Sequence, residues 1–400
     1  YTLVLDSFTK MKIFSDIVKD YTSTAGERNE VDDAMVLLLF TQTLLGQQVL
    51  NPKWRMSGTI YKYIFFVCLI LYVVLGTADF LKTVTNMAIK SEAYYTILML
   101  SICVVKFCLF IYNREYFRNA YWISKSILFS IIKKISKEKA ADLIKKLKII
   151  LKLFYLSILV PISMYMLTAI WFNIHGERIT LSRTTSTLMP MTSPYYEISF
   201  VLHATFLNLV ALTFCAFDLW FVILMYFFCV TCDCLVLSLQ EEAKADEETD
   251  LSYAKRLNDK LRIFYIDHEN LMRYLNILNE MYKWASVVPL VSVVFAFCLL
   301  MLAMSEQIEW AFLGNFLPII SEIFAYNWFG EQVKHKIAVI EFDWSSMTLA
   351  DKKNYLIIIT YMRKEFSIKT AFGNDLSLNT MTDVLKASYQ AFTIFRTVEV

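Results

Sequence analysis

Apolar residues along this chain come in long unbroken runs rather than in alternation, a pattern of helices that cross a bilayer and not of a β-barrel. Six runs approach or exceed the roughly 20 residues needed to cross about 30 Å of hydrocarbon. They lie at 59–77, 94–112, 149–174, 198–239, 285–304 and 310–328. The fourth is about twice the needed length. No Gly or Pro occurs between Tyr195 and Val288 to turn it back, so it reads as one helix that projects out of the bilayer. A shorter apolar stretch, 34–45, is broken by Thr41, Gln42 and Thr43 and fits a re-entrant or interfacial segment.

A seventh helix is predicted over about 376–398, with Gly373 at the C′ position of what precedes it and Asn374 or Asp375 as its N-cap. It carries Asn379, Thr382, Asp383, Lys386, Gln390 and Arg396 among its apolar residues. Surrounded by lipid, such a helix would be too costly, so its polar face is expected to turn to protein or to water. After the fourth run, Leu257, Leu261, Phe264, His268, Leu271, Leu275, Leu278 and Tyr282 recur at a spacing of three and four. This stripe makes an amphipathic helix that continues span five and needs helical partners, within the chain or between subunits. The basic segment between spans two and three is helical in pattern too. Residues 175–197, rich in Ser and Thr, form the one long loop on the opposite side, either a lid or a plain connector.

Charge orients the bundle. Most Lys and Arg residues lie before span one and in the loops after spans two, four and six, whereas the opposite side holds Lys82, Lys90, Arg178, Arg183 and Arg396. By the positive-inside rule the N-terminus is cytoplasmic, and seven spans place the C-terminus outside. The expected fold is therefore an all-α membrane protein of seven transmembrane helices with long cytoplasmic helical extensions forming an anchor. Its parts are a cytoplasmic N-terminal region (1–58), a six-helix bundle with the extensions (59–328), a cytoplasmic anchor region (329–375) and the seventh helix (376–400).

Composition agrees: 57% hydrophobic and 19% charged residues, with a mean hydropathy of +0.47, exclude an ordinary soluble domain. A net charge of +2 gives no reason to expect a nucleic acid partner. The eight cysteines lie in or at the ends of apolar runs, and a disulfide framework is not expected. Cys229, Cys232 and Cys234 lack further ligands at metal-site spacing and read as buried free thiols, so neither metal nor cofactor is expected. The chain holds no His-Glu-x-x-His, Gly-rich phosphate loop or Gly-x-Ser-x-Gly, and an enzyme is not expected. Among the charges inside spans are Lys62 and Lys106, placed to snorkel, and Asp218 and Glu322, suited to hydrogen bonds between helices. A proton-coupled transporter is the alternative those two acids raise.

The end of the chain resembles the insect odorant receptors. Asn327, Trp328, Phe329, Gly330, Glu331, Gln332 and Val333 are similar to that family's aromatic-Phe-Gly-polar signature. Leu376, Ser377 and Leu378, then Ser388, Tyr389, Phe392, Thr393 and Arg396, resemble its C-terminal pattern. The endings differ from those of the related gustatory receptors, and the 4–5 loop is much shorter than that of the family's coreceptor. The resemblance is therefore to an odorant-tuning subunit; a taste-type homotetrameric receptor is a lesser reading.

The resemblance implies a plasma-membrane ligand-gated cation channel in the dendrite of an olfactory neuron. Tuning and coreceptor subunits would form a heterotetramer, each lending its last helix to a pore for cations. The gate positions carried over are Ile394, Thr397 and Val398. The implied pocket for a small volatile hydrophobic molecule lies in the outer half, between spans two, three, four and six. There the sequence offers Met87, Tyr94, Thr168, Trp171, Phe172, His203, Phe206, Phe316 and Ile319.

Overall fold

The computed structural model describes residues 29–181, 191–240, 250–305, 313–336 and 367–398, with positions 349, 352, 353, 356 and 360 between the last two. Each apolar run becomes a helix: α3 (Ile60–Thr83), α4 (Met87–Tyr112), α7 (Lys137–Ile174), α8 (Tyr195–Gln240), α10 (Val287–Ala303) and α11 (Phe316–Lys336). The polar last segment forms α12 (Leu378–Val398). Around them lie α1 (Glu30–Ala34), α2 (Val36–Leu44), α5 (Arg114–Trp122), a π-helical turn (Ile123–Leu128), α6 (Phe129–Ile135) and α9 (Asp250–Tyr282). Most of the region 329–375, the centre of the loop 175–197 and the N-terminal 28 residues lie outside the described residues.

The long fourth run is one helix of 46 residues, about 69 Å at 1.5 Å per residue. It is the axis of the molecule, because α4, α6, α7, α9 and α11 all pack on it. From Thr213 to Met225 every side chain is buried, as an all-round apolar helix requires. Its aromatic residues interlock with those of its neighbours: Phe221 stacks on Tyr326 at 4.0 Å, and Trp220 meets Tyr121 edge-on at 5.5 Å.

Helix α9 buries the predicted stripe from Leu261 to Tyr282 against α8 and α5, so the partner of this amphipathic face is the same chain. The side chain of Leu257 lies outside the described residues. A bend of 46° separates the segment Asn258–Tyr282 from Val287–Ala303. Among the described residues four helices are long and apolar enough to cross a membrane, and this bent pair makes a fifth. Their lipid-type surface is plain on α3, where Ile60, Ile64, Phe65, Leu71 and Leu75 are exposed.

The stretch 34–45 packs against the bundle: Met35, Leu38 and Leu39 are fully buried, with α1 on α7 and α2 on α8. Lys62, expected to snorkel, donates from its Nζ to the Thr43 carbonyl at 2.7 Å and the Leu44 carbonyl at 3.3 Å, closing the end of α2. The seventh helix starts at Leu378, later than predicted, and its cap is Ser377, whose Oγ accepts from Thr380 N at 3.2 Å. Asn374 and Asp375 instead belong to a turn paired with 368–370, in which Gly373 takes φ +82°.

One end of the bundle is pinned by a buried carboxylate. Asp32 accepts from Asn29 N at 2.9 Å and from the Tyr121 hydroxyl, and pairs with Lys125 at 2.6 Å. Burial and the Asp32 charge push the Tyr121 phenol well above its ordinary pKa, so it remains a donor. Asp32→Ala strands the buried ammonium of Lys125. It should cost about 3–5 kcal/mol, read as a lower thermal transition of the detergent-solubilised protein.

Candidate functional site

A cavity of about 190 Å³ opens between α4, α7, α8 and the start of α11. Each helix contributes one face at the spacing that helical geometry dictates. From α4 come Glu92, Tyr95, Thr96 and Met99; from α7, Ile158, Pro161, Ile162 and Tyr165; from α8, His203, Phe206, Leu207, Val210, Ala211 and Phe214. Asn315, just before α11, and Pro318 in its first turn close it, and Val73 and Leu181 also line it. Asn315 Nδ2 donates to the Tyr165 hydroxyl at 2.8 Å, tying the entry to α11 onto α7.

Of the nine residues expected from the sequence, His203 and Phe206 line this cavity and seven do not. Tyr94 is exposed while Tyr95, rotated about 100° from it on the helix, is buried at the cavity wall. Thr168, Trp171 and Phe172 lie beyond Tyr165 on α7 with their side chains outward; Trp171 packs on His175 at 4.5 Å. Met87 is half-buried at the first position of α4. Phe316 packs edge-on against Phe297 at 5.2 Å, and Ile319 is buried in a separate cluster with Val293 and Ile323.

Beneath the cavity lies a group that the snorkelling argument missed. Lys106 is fully buried, its Nζ 2.8 Å from Asp218 Oδ2 and 2.6 Å from Glu322 Oε1. The Tyr326 hydroxyl donates to the other Asp218 oxygen at 3.2 Å. The same ammonium stands 3.4 Å from the centre of the Phe214 ring, which lines the cavity. The two acids are thus hydrogen-bonded between helices as expected, and the shared lysine supplies the charge that lets them be buried.

Helix α11 continues from this triad to the seventh helix. Asn327 Oδ1 accepts from Ser377 N and Glu331 Oε2 from Leu378 N, both at 3.3 Å. Between them Gly330 lets the backbone of Leu376 come so close that a Cβ on the glycine would lie 2.3 Å from its carbonyl oxygen. Lys334 adds a 3.0 Å pair with Asp375. One helix therefore touches the cavity at Pro318, the triad at Glu322 and the seventh helix at Asn327, Gly330 and Glu331.

Helix α12 buries Ser388 and packs Met381 and Val384 on the bundle. Its opposite face holds Asn379, Asp383, Lys386, Gln390 and Thr397, all exposed. At 3.6 residues per turn these five fall within a sector of about 60°. Of the expected gate positions, Ile394 and Thr397 are exposed near the end of this face, and the Val398 side chain lies outside the described residues.

A family model described as 7tm Odorant receptor matches residues 86–389. Odorant receptor 10 of Aedes albopictus is 26% identical over 218 residues, 52% of this chain and 56% of that protein, so the match spans little more than half of that relative. The structure of the insect olfactory receptor OR5 from Machilis hrabei superposes with a TM-score of 0.65 at 13% identity, covering 86% of this chain and 92% of that one. Its complex with eugenol superposes with a TM-score of 0.69 at 12% identity, covering 92% of this chain and all of the other. The architecture is shared with these receptors, and because the family model runs through the cavity-lining helices, the triad and most of α12, the chain belongs to the 7tm odorant receptor family.

Proposed function

We propose that this chain is the odorant-binding subunit of a ligand-gated, non-selective cation channel, opened by a small volatile hydrophobic molecule in the four-helix cavity. The observation that carries the channel half of this reading is the outward polar stripe of α12. Asn379, Asp383, Lys386, Gln390 and Thr397 point away from the chain's own core, on the helix least suited to lipid. A ring of subunits that turns these stripes inward surrounds water with them and keeps the apolar helices in lipid.

In this reading the chain is a tuning subunit in a heterotetramer with coreceptor subunits, in the plasma membrane, with a cytoplasmic N-terminus and seven spans. Ile394, Thr397 and Val398 form its share of the outer gate. The fold relative from Machilis hrabei is solved in complex with eugenol, and a cavity of about 190 Å³ suits a guest well below drug size. Opening requires that the ligand bind one state of the bundle more tightly than the other. Helix α11 carries that difference from Pro318 at the cavity to the first turn of α12.

The test is voltage clamp on cells expressing the chain with a coreceptor, across a panel of volatiles. Current that needs both subunits supports the proposal; a surface-expressed pair silent to the whole panel overturns it. Ile394→Ala is expected to raise the resting current at least severalfold, because the smaller side chain widens the apolar constriction and lets it wet more readily. An unchanged resting current would remove Ile394 from the gate.

A further inference from the structure

The cavity wall is apolar except for a few groups, and they differ in whether their hydrogen-bonding capacity is already used. Tyr165 and Asn315 bond to each other, and the Thr96 hydroxyl donates to the Glu92 carbonyl at 3.0 Å. His203 is the exception: it is 5% exposed, lines the cavity, and packs its ring on Tyr72 at 5.2 Å. Neither ring nitrogen has a partner at hydrogen-bonding geometry, and the Ser199 carbonyl, one turn back on α8, can take only an N–H. A neutral imidazole carries one N–H and one lone pair, so an acceptor without a donor remains in either tautomer. A buried acceptor without a donor is a standing cost that a ligand of the right chemistry removes.

We infer that His203 selects the ligand class: the cavity takes a small volatile alcohol or phenol whose hydroxyl donates to the free imidazole nitrogen while its hydrocarbon part lies along Met99, Ile158, Phe206 and Phe214. This inference rests on the cavity being the odorant site proposed above. Size agrees, since about 150 Å³ holds a benzene-sized guest and the 190 Å³ here adds room for a short chain. Esters, ketones and ethers offer no donor and leave the imidazole lone pair unmatched. A protonated amine would have to shed its hydration in a largely apolar chamber, and would turn to the Glu92 side rather than to His203.

The experiment uses matched ligands on the full receptor pair: six- to nine-carbon alcohols and small phenols, each with its methyl ether and, where it exists, the amine of the same skeleton. Half-maximal concentrations are read by voltage clamp, with surface protein measured in parallel. The wild type should respond to alcohols at about tenfold lower concentration than to the matching ethers, the worth of one neutral hydrogen bond. His203→Phe keeps a ring of similar shape without the nitrogens, and should bring the alcohol-to-ether ratio to about one. His203→Gln keeps a polar partner and should retain part of the margin.

A ratio unchanged in His203→Phe, or ethers or amines equal to alcohols in the wild type, overturns the inference. Silence to every alcohol also overturns it. If other volatiles then still evoke current, the odorant-channel reading stands; if the surface-expressed pair is silent to all of them, that reading falls as well.

Discussion

Gly330→Ala is expected to remove odorant-evoked current almost entirely while the chain still reaches the membrane. The added methyl would lie 2.3 Å from the Leu376 carbonyl oxygen, 2.5 Å from its Cβ and 2.7 Å from its carbonyl carbon. Two of those atoms are backbone and cannot rotate away, so the segment leading into α12 has to move. Overpacking of this kind costs about 1–3 kcal/mol. The cost falls where Asn327 and Glu331 hold the first backbone amides of α12, so the strain is relieved by losing that attachment. Peak current per surface receptor should drop at least tenfold. Normal currents in Gly330→Ala would show that the close approach of α11 and 376 is not needed for gating.

The second large effect concerns the triad. Lys106→Met leaves Asp218 and Glu322 buried against each other with no cation between them, and breaking a buried ion pair by removing one partner costs about 3–5 kcal/mol. We expect most of the protein to be retained before the surface and the remainder to melt well below the wild type. The triple variant Lys106→Met, Asp218→Asn, Glu322→Gln removes all three charges and keeps an acceptor for Tyr326. It should recover most of the lost stability, since replacing a whole buried ionic group is often neutral or favourable. Fluorescence-detected size exclusion after heating reads both outcomes. A triple variant no better than the single one would mean that charge is needed there for more than holding the helices. The same pair of variants bears on the transporter alternative, which requires Asp218 or Glu322 to exchange protons rather than to hold Lys106.

Reading the chain from its residues worked where the bilayer imposes a rule. A helix must fill its backbone bonds internally and be apolar for about 20 residues, so the runs became helices. The absence of Gly and Pro kept α8 whole, and the polar residues of α12 marked it as the helix that needs company. The same rule hid the register of the pocket. In water, the buried face of a helix is its apolar face; in lipid, both faces are apolar, and Tyr94 and Tyr95 look alike. Only packing tells that Tyr95 turns inward, to the cavity and to Val293 and Ile323, while Tyr94 turns out. His203 and Phe206 do line the cavity, but only their level in the span selects them, with no motif behind them. Lys106 was misread because its partners are 112 and 216 residues away, and position along a span says nothing about them.

The length of α8 has a consequence for how such a receptor diversifies. Its cavity face ends at Phe214, and its closely packed stretch, which holds the inner helices together, begins at the same level and runs to Leu235. On the reading proposed above, one rod carries two texts, a recognition surface in its first twenty residues and an assembly surface in the rest. Substitutions at 203, 206 and 210, which line the cavity and lie outside the central core cluster, would then rewrite what the receptor smells while leaving the packed stretch in place. A new scent would be acquired one side chain at a time.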